Sequence, residues 1–422
     1  MGNPTTITDE MRQFMEEDAR ARLLRYVQIF TTSDENSESD PSTARQMDLL
    51  RLLAAECTEL GLADVSLSDT GYVYATLPAP QGVAAPAIGL LAHVDTSPEQ
   101  PGENVRPVCH ENWDGSPISF ADDPQLQLTP ADCEELSDFV GDTIITASGK
   151  TLLGADNKAG ISEIMAAIAT LQRYPELPHA EIRLCFTSDE EIGRGTQGID
   201  LGRLPTYCYT IDGGYPGELE AECFNAWRAD LTFHGVGVHA GYAKDKLVNA
   251  IMIAARFLDE IPEEDCAENS DGRQGFYYVF GVNGDTEKAE VQLIIRDFER
   301  AENERRCQYL ETLKTRFEKR YPRLRIDLEM HEQYRNMRDI LEGHPRVVEL
   351  AHAAIEDAGV EVLRRAIRGG TDGSLLTQVG HPTPNIFTGG MLFHSRKEWI
   401  ASSSLRKATE TIVHLARHWA QQ

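Results

Sequence analysis

Basic residues are scarce in this sequence compared with acidic ones. The 422 residues include 40 Lys and Arg against 68 Asp and Glu, which gives a formal net charge of −28 at pH 7. A chain this acidic is repelled by phosphate backbones and by anionic lipid, so we expect neither nucleic acid nor a membrane as a partner. The same charge attracts cations, and metal ions are the obvious candidates.

Long apolar runs are also missing from the sequence. The longest, residues 84–92, has nine residues and includes Pro86 and Gly89, whereas a membrane helix needs roughly 18. The first 14 residues are polar and acidic, unlike a secretory signal peptide. We therefore expect a soluble protein of the cytoplasm.

The cysteines form neither a metal-binding pattern nor a disulfide framework. The eight cysteines are spread from residue 57 to residue 307, and the closest pair, Cys208 and Cys223, is 15 residues apart. No Cys-x-x-Cys motif is therefore present, and reduced thiols fit this spacing better than disulfides do. The spacing agrees with a cytoplasmic location.

The amino-terminal half of the chain has the pattern of an α/β protein. Hydrophobic residues make up 41% of the chain, an ordinary share for a globular protein, and the length predicts two or three domains. From about residue 7 to about residue 222, short apolar runs alternate with helical patterns. The runs at 88–94, 181–188 and 206–212 are predicted to be buried strands with polar residues at their carboxyl ends. In open α/β sheets, ligands bind at those ends.

Between about residues 223 and 332 the order changes to strand, helix, strand, strand, helix, strand. The predicted strands cover 227–233, 276–282, 288–298 and 324–330, and the predicted helices cover 246–261 and 299–320. That order is typical of a ferredoxin-like α+β unit. The α/β pattern then returns and ends in a long helix from about residue 402. We predict one α/β domain, residues 1–222 and 333–422, interrupted by a lid domain, residues 223–332.

Five short segments place histidines and carboxylates at or near the ends of predicted core elements. Taken alone, each has an ordinary interpretation: Asp156 would cap a helix, an acidic triplet at 189–191 would be a solvated turn, and His93 with Asp95 would be a hydrogen-bonded pair. Together they supply a mixture of nitrogen and oxygen ligands that suits Zn²⁺, with Co²⁺ or Mn²⁺ as alternatives. The residues are His93, Asp95, Asp156, Glu190, Glu191, Asp212 and His394.

Longer motifs along almost the whole chain make the sequence recognisable. They are LRYVQIFTTSD (24–34), KTLLGAD (150–156), DEEIGRG (189–195), YTIDGG (209–214), VHAGYAK (238–244), IRGGTDGSLL (367–376) and TPNIFTGG (383–390). With these motifs the sequence closely resembles the M20 family of dizinc metallopeptidases, and within it the aminotripeptidase branch, the peptidase T family. Asn157 stands where that branch usually has an acid, and other M20 members also have Asn there.

The resemblance implies both a fold and a metal site. The fold would be a zinc-exopeptidase-like α/β catalytic domain with an inserted ferredoxin-like α+β lid domain of the dimerisation type. The site would hold two Zn²⁺ per subunit, one bound by His93 and Asp212, the other by Glu191 and His394, with Asp156 bridging both.

The resemblance also implies the reaction. Asp95 would orient His93, and Glu190 would act as the general base. A hydroxide that bridges the two metals would then hydrolyse the first peptide bond of a tripeptide and release its N-terminal residue. The peptide bond between Asp156 and Asn157 would be cis.

Three further residues are expected to contact the substrate. His239 matches the M20 lid histidine that stabilises the oxyanion, and it would act after lid closure or be supplied by a partner subunit. Arg296 and Arg368 are candidates for binding the terminal carboxylate of the peptide, because the arginine fork suits a carboxylate. The partner is therefore expected to be a small peptide, and the resemblance allows a homodimer through the lid domain.

Two alternatives remain open at this point. Other M20 enzymes, namely dipeptidases, carboxypeptidases and N-acyl amino-acid deacylases, share the metal residues and differ in the substrate pocket. The second alternative is a non-catalytic binding protein on the same scaffold. Loss of a ligand or of the base would mark such a protein, and none of these residues is missing from this sequence.

Overall fold

The computed structural model describes residues 6–422 of the chain. Within them the α-helices are α1 Asp9–Tyr26, α2 Gln46–Glu59, α3 Ala155–Arg173, α4 Ala250–Leu258, α5 Arg300–Arg320, α6 Arg338–Leu341, α7 Pro345–Asp357, α8 Asp372–Gln378 and α9 Ser402–Trp419. The strands are β1 Ala63–Leu67, β2 Val73–Leu77, β3 Ile88–His93, β4 Val108–His110, β5 Ile118–Phe120, β6 Asp123–Leu128, β7 Ile144–Thr146, β8 Ile182–Thr187, β9 Tyr207–Gly213, β10 Glu218–Cys223, β11 Asn225–His234, β12 Phe276–Gly284, β13 Lys288–Asp297, β14 Arg325–Tyr334, β15 Leu363–Ile367, β16 Asn385–Phe387, β17 Gly390–Met391 and β18 Trp399–Ala401.

The chain divides into two units. The first runs up to Ala221 and adds Asp339–Arg365 and Thr371–Gln422, and the second consists of Glu222–Arg338 and Ala366–Gly370. None of the helices in the described residues combines the length and the apolar composition that a membrane span requires.

The first unit is built around an eight-stranded sheet in the order β1-β2-β8-β3-β9-β16-β10-β15. Its central strands β8, β3, β9 and β16 run parallel, so their carboxyl ends lie along one edge of the sheet. Every residue of β3 is buried, as expected for a strand covered on both faces. The strands predicted at 88–94, 181–188 and 206–212 are confirmed as β3, β8 and β9.

Helix α3 lies at the centre of the core of the first unit. Apolar residues occur on all of its sides, and a helix of this kind is stable only when it is buried. It packs against α1 and α9 and against strands β3 and β9, and nearly all its residues from Ala155 to Leu171 are buried. This packing fixes the amino end of α3, which carries Asp156, beside the carboxyl end of β3.

A smaller sheet in the first unit joins two distant parts of the chain. Its strand order is β17-β18-β7-β4, and β18 pairs antiparallel with β7 so that Trp399 lies opposite Thr146. Each of these strands has only two or three residues. Strands this short show no periodicity, so the sequence does not predict them.

The second unit has the ferredoxin-like topology predicted from the sequence. Its sheet has the order β12-β13-β11-β14 with every neighbouring pair antiparallel, and α4 and α5 pack on β11 and β13. The strands alternate buried and exposed residues, which is typical of an antiparallel sheet covered on one face. The predicted order of strands and helices is therefore confirmed.

Helix α4 is shorter than the 246–261 range predicted for it. Val248 forms an antiparallel bridge with Val236, which takes the residues before Asn249 out of the helix. The side chain of Asn249 then accepts a hydrogen bond from the N–H of Met252 and caps the helix at its amino end. A capping residue inside an apolar run thus sets the boundary.

Candidate metal centre

The histidines and carboxylates singled out from the sequence lie at the carboxyl edge of the parallel strands. His93 is the last residue of β3, Asp212 lies near the end of β9, and Glu190 and Glu191 follow β8. Asp156 reaches the same place from the amino end of α3. Open α/β sheets bind their ligands at this edge.

Five of the sequence-predicted residues form two groups that share one carboxylate. In each group, one ligand atom of every member lies within 4.8 Å of the others. The groups are His93, Asp156 and Asp212, and Asp156, Glu191 and His394. The structure thus brings together all five residues that the sequence singles out as ligands.

Asp156 offers a different oxygen to each group. Its Oδ1 lies 3.1 Å from His93 Nε2, and its Oδ2 lies 3.2 Å from His394 Nε2. His93 Nε2 is also 3.4 Å from Asp212 Oδ1, and His394 Nε2 is 2.9 Å from Glu191 Oε2. Around a tetrahedral metal with ligands at about 2.0 Å, neighbouring ligand atoms are about 3.3 Å apart. The observed spacings therefore fit two metal ions with Asp156 between them.

The peptide bond between Asp156 and Asn157 is cis, so this prediction is confirmed. The side chain of Asn157 is buried, and neither its oxygen nor its nitrogen has a hydrogen-bond partner in the described part of the chain.

Asp95 holds two parts of the site at once. His93 Nδ1 lies 3.1 Å from the carbonyl oxygen of Asp95 and 3.3 Å from its Oδ1, which places the ring proton on Nδ1 and leaves Nε2 free for a metal. The carboxylate of Asp95 also accepts hydrogen bonds from the N–H groups of Glu190 at 3.0 Å and Glu191 at 3.2 Å. The sequence predicts only the contact with His93, because the two glutamates lie about a hundred residues farther along the chain.

The turn after β8, which carries Glu190 and Glu191, is held by a second set of hydrogen bonds that the sequence does not predict. We call this set the Gln46–Asp189 clamp. Asp189 adopts a left-handed backbone conformation with φ of 60°, and its buried carboxylate accepts hydrogen bonds from the N–H of Ser42 at 2.6 Å and from Gln46 Nε2 at 2.6 Å. Gln46 Oε1 accepts in return from the N–H of Asp189 at 3.1 Å. In the sequence, Gln46 is only the first residue of a helix and Asp189 only one acid of three, so no pattern links them.

Burial raises the pKa values of several carboxyl groups in the site. It raises the pKa of Glu191 to about 8, that of Asp212 to about 6 and that of Asp372 to about 7. Nearby carboxylates act in the same direction, and Glu191 Oε1 has no hydrogen-bond partner in the described part of the chain. A cluster of buried carboxylates that lacks enough positive charge suits divalent cations, whose binding removes this repulsion.

Asp372, in the motif at 367–376, is a further carboxylate near the site. It is buried, and its carboxylate accepts a hydrogen bond from Thr187 Oγ1 at 3.0 Å. The charges of Asp212 and Asp95 contribute to its raised pKa, so its carboxylate belongs to the same cluster.

His239 lies in an exposed loop of the second unit. The N–H of Gly241 donates a hydrogen bond to His239 Nδ1 at 3.1 Å. In a neutral imidazole an accepting Nδ1 leaves the proton on Nε2, so Nε2 is a hydrogen-bond donor. This is the tautomer that stabilisation of an oxyanion needs.

Arg296 and Arg368 also belong to the second unit. Arg296 is largely buried and donates to the carbonyl oxygens of Trp227 and Ile295 at 3.3 and 3.2 Å. Arg368 donates to Ser270 and to backbone carbonyls of the same loop, and it lies over the rings of two phenylalanines. Among the described residues of this unit, no carboxylate pairs with either guanidinium, so neither positive charge is neutralised within it.

Comparison with known proteins places the chain among peptidases. Residues 222–325 match the peptidase dimerisation domain of the M20 family. The chain is 45% identical over 408 residues to a peptidase T from Exiguobacterium sibiricum, with 96% of this chain and 99% of the relative covered. The crystal structure of an aminopeptidase PepT from Bacillus cereus has a TM-score of 0.75 at 23% identity and covers 96% of this chain and 99% of its own. A tripeptidase from Staphylococcus aureus has a TM-score of 0.76 at 19% identity, with the same coverage.

The two-unit fold, the shared-carboxylate ligand groups and these similarities define an M20 peptidase, a hydrolase with a site for metal ions. Within that class the chain belongs to the peptidase T family.

Proposed function

We propose that this chain is a zinc-dependent aminopeptidase that removes the N-terminal residue from tripeptides. The observation that carries this proposal is the pair of ligand groups joined by Asp156 at the carboxyl edge of the parallel strands. One ion would be held by His93, Asp156 and Asp212, and the other by Asp156, Glu191 and His394. Two imidazoles and three carboxylates favour Zn²⁺, with Co²⁺ or Mn²⁺ as alternatives.

The bound ions supply polarisation of the scissile carbonyl and a water of lowered pKa. Glu190 then moves the protons: it takes one from the attacking water and returns it to the leaving amine. Two features support this role. Its carboxylate belongs to neither ligand group of the described residues, and Asp95 accepts a hydrogen bond from its backbone N–H.

Charged residues of the protein that bind the two ends of the substrate would explain a preference for tripeptides. The α-ammonium group would meet the excess carboxylates of the metal centre, which include Asp372. Arg296 or Arg368 would bind the terminal carboxylate, since neither guanidinium is neutralised within its own unit. His239 would donate its Nε2–H to the oxyanion.

A substrate series tests the proposal. Zinc- or cobalt-loaded protein should cleave a free tripeptide fast and the matching dipeptide, tetrapeptide and N-acetyl tripeptide slowly. Amidation of the tripeptide carboxyl group should lower kcat/KM about ten- to a hundred-fold, the effect of losing one charge-assisted contact. If amidated tripeptides and tetrapeptides are cleaved as fast as free tripeptides, the chain is a broader M20 aminopeptidase instead.

A further inference from the structure

Glu398 is a buried carboxylate that the proposed chemistry does not use. It lies four residues after His394 and is 1% exposed. Its Oε2 accepts hydrogen bonds from the N–H groups of Leu153 at 2.7 Å and Gly154 at 2.8 Å, and its Oε1 accepts one from the N–H of Asp156 at 3.0 Å. A single side chain thus binds the segment that carries the shared ligand of both metal groups.

The small sheet that contains β7 and β18 explains how Asp156 and Glu398, 242 residues apart in the sequence, come into contact. Strand β7 leads into residues 147–155 and then to Asp156, while the loop after β17 carries His394 and leads into β18. Because β7 and β18 are paired, with Ile145 opposite Ile400, the two ligand-bearing segments leave the sheet side by side. Glu398 immediately precedes β18 and connects the two segments.

The backbone before Asp156 is shaped to receive a carboxylate. Gly154 has a φ of +81°, a left-handed conformation that favours glycine. A left-handed residue within a turn directs successive N–H groups to the same side and creates a site for an anion. The buried side chain of Lys158, which donates to the carbonyl oxygen of Ile29 at 2.7 Å, lies close to Gly154 of the same segment. The left-handed turn and the three N–H donors therefore suit a side chain with two acceptor oxygens at position 398.

We propose that Glu398 is a positioning residue that sets the placement of Asp156 relative to His394. The inference rests on the proposed function, because these two residues would share one metal ion. Glu398 belongs to neither ligand group of the described residues. It acts through the backbone of Asp156 and through its own place at the end of the His394 loop.

Glu398→Gln is the sharpest variant, since it keeps the size of the side chain and removes one acceptor. The new NH₂ group cannot accept from an N–H, so either the bond to Asp156 or the bonds to Leu153 and Gly154 are lost. Loss of a hydrogen bond that orients a metal-binding residue usually lowers metal affinity by about 10- to 100-fold. Glu410→Gln is the matched control: Glu410 is also 1% exposed, but it pairs with Arg12 of α1 and Arg406 of α9.

Metal affinity is measured by titrating Zn²⁺ and Co²⁺ against a chromophoric chelator, with the Co²⁺ visible spectrum as a report on ligand geometry. Wild type and Glu410→Gln should bind two ions with equal affinities. Glu398→Gln should bind one or both ions about 10- to 100-fold more weakly, with an altered Co²⁺ spectrum, and excess metal should restore part of its activity.

Two results separate failure of the inference from failure of the proposed function. Wild-type affinities and spectrum in Glu398→Gln would overturn the role of Glu398 alone, whereas a wild type that binds no metal would overturn the metal centre itself. Glu398→Asp keeps both acceptors on a shorter stem, so its affinity should lie between those of wild type and Glu398→Gln. If Glu398→Gln does not fold, Glu398→Asp decides, and wild-type affinity in that variant contradicts the inference.

Discussion

At the scale of single residues, Glu190 and Glu191 show how surroundings give identical side chains different chemistry. Glu191 Oε2 lies 2.9 Å from His394 Nε2 and belongs to a ligand group. Glu190 belongs to neither ligand group of the described residues, although Asp95 holds the N–H groups of both glutamates. In the proposed function, one glutamate therefore binds metal and its neighbour remains free to move protons.

Replacing each glutamate by glutamine should separate these roles. Glu190→Gln should retain two metal ions and lose about 100- to 10,000-fold in kcat, because a carboxamide cannot shuttle protons. Glu191→Gln should instead bind one ion more weakly. Metal analysis of the purified variants together with steady-state kinetics checks both statements. Near-native turnover by Glu190→Gln would show that another group is the base.

His239 provides a second test at this scale. His239→Ala should lower kcat about 100- to 1,000-fold, the usual cost of removing one oxyanion donor, with both metals retained. His331→Ala, which removes an exposed histidine of the same unit, should leave kcat unchanged. If the two variants have equal kcat values, His239 is only a surface residue of its loop.

At the scale of elements, the turn after β8 is held from two sides by residues far away in the sequence. Asp95 binds the N–H groups of Glu190 and Glu191, and Gln46 exchanges hydrogen bonds with Asp189. All of these bonds join segments that lie far apart in the sequence. The strands themselves could be predicted because each is a buried apolar run, but these long-range contacts leave no local pattern in the sequence.

Removal of the Gln46–Asp189 clamp should destabilise the fold. Gln46 is fully buried, so Gln46→Ala leaves an N–H and part of the carboxylate of Asp189 without partners, at a cost of about 1–3 kcal/mol. Gln13→Ala, which breaks an exposed bond to Glu17, should cost less than about 0.5 kcal/mol. Urea unfolding measures both values. Equal free energies of unfolding for the two variants would mean that the clamp does not stabilise the fold.

The carboxyl-terminal helix α9 carries a pH-dependent contribution to stability. Burial raises the pKa of Glu410, but the His414 ring and the guanidinium groups of Arg12 and Arg406 outweigh burial, and the pKa lies below its ordinary value. Such a carboxylate stabilises the fold fully above its unfolded-state pKa of about 4.3, and this stabilisation disappears as the pH falls through the folded-state pKa. The difference in unfolding free energy between wild type and Glu410→Gln should therefore be largest near neutral pH.

Urea unfolding between about pH 3 and pH 7 checks this expectation, and the difference should shrink below about pH 4. A difference that stays constant over this range would show that Glu410 contributes through packing alone.

At the scale of the whole molecule, an acidic chain with two units agrees with the function proposed for it. The net charge of −28 suits binding of divalent cations and disfavours polyanions. The α/β core and the ferredoxin-like unit could both be predicted, because long elements carry clear periodicity. The short strands of the small sheet could not be predicted, and therefore the contact between Glu398 and Asp156 could not be predicted either. The candidate ligands could be predicted because the motifs around them resemble a known family.

The central claim is that the chain removes the N-terminal residue of a tripeptide by metal-dependent hydrolysis. The most direct measurement identifies the products from a tripeptide of three different residues, Leu-Gly-Phe, by mass spectrometry, with zinc-loaded protein and after treatment with a chelator. The expected products are free leucine and Gly-Phe, formed by the loaded protein and not after the chelator. Release of phenylalanine and Leu-Gly, or cleavage that continues unchanged without metal, would contradict the claim.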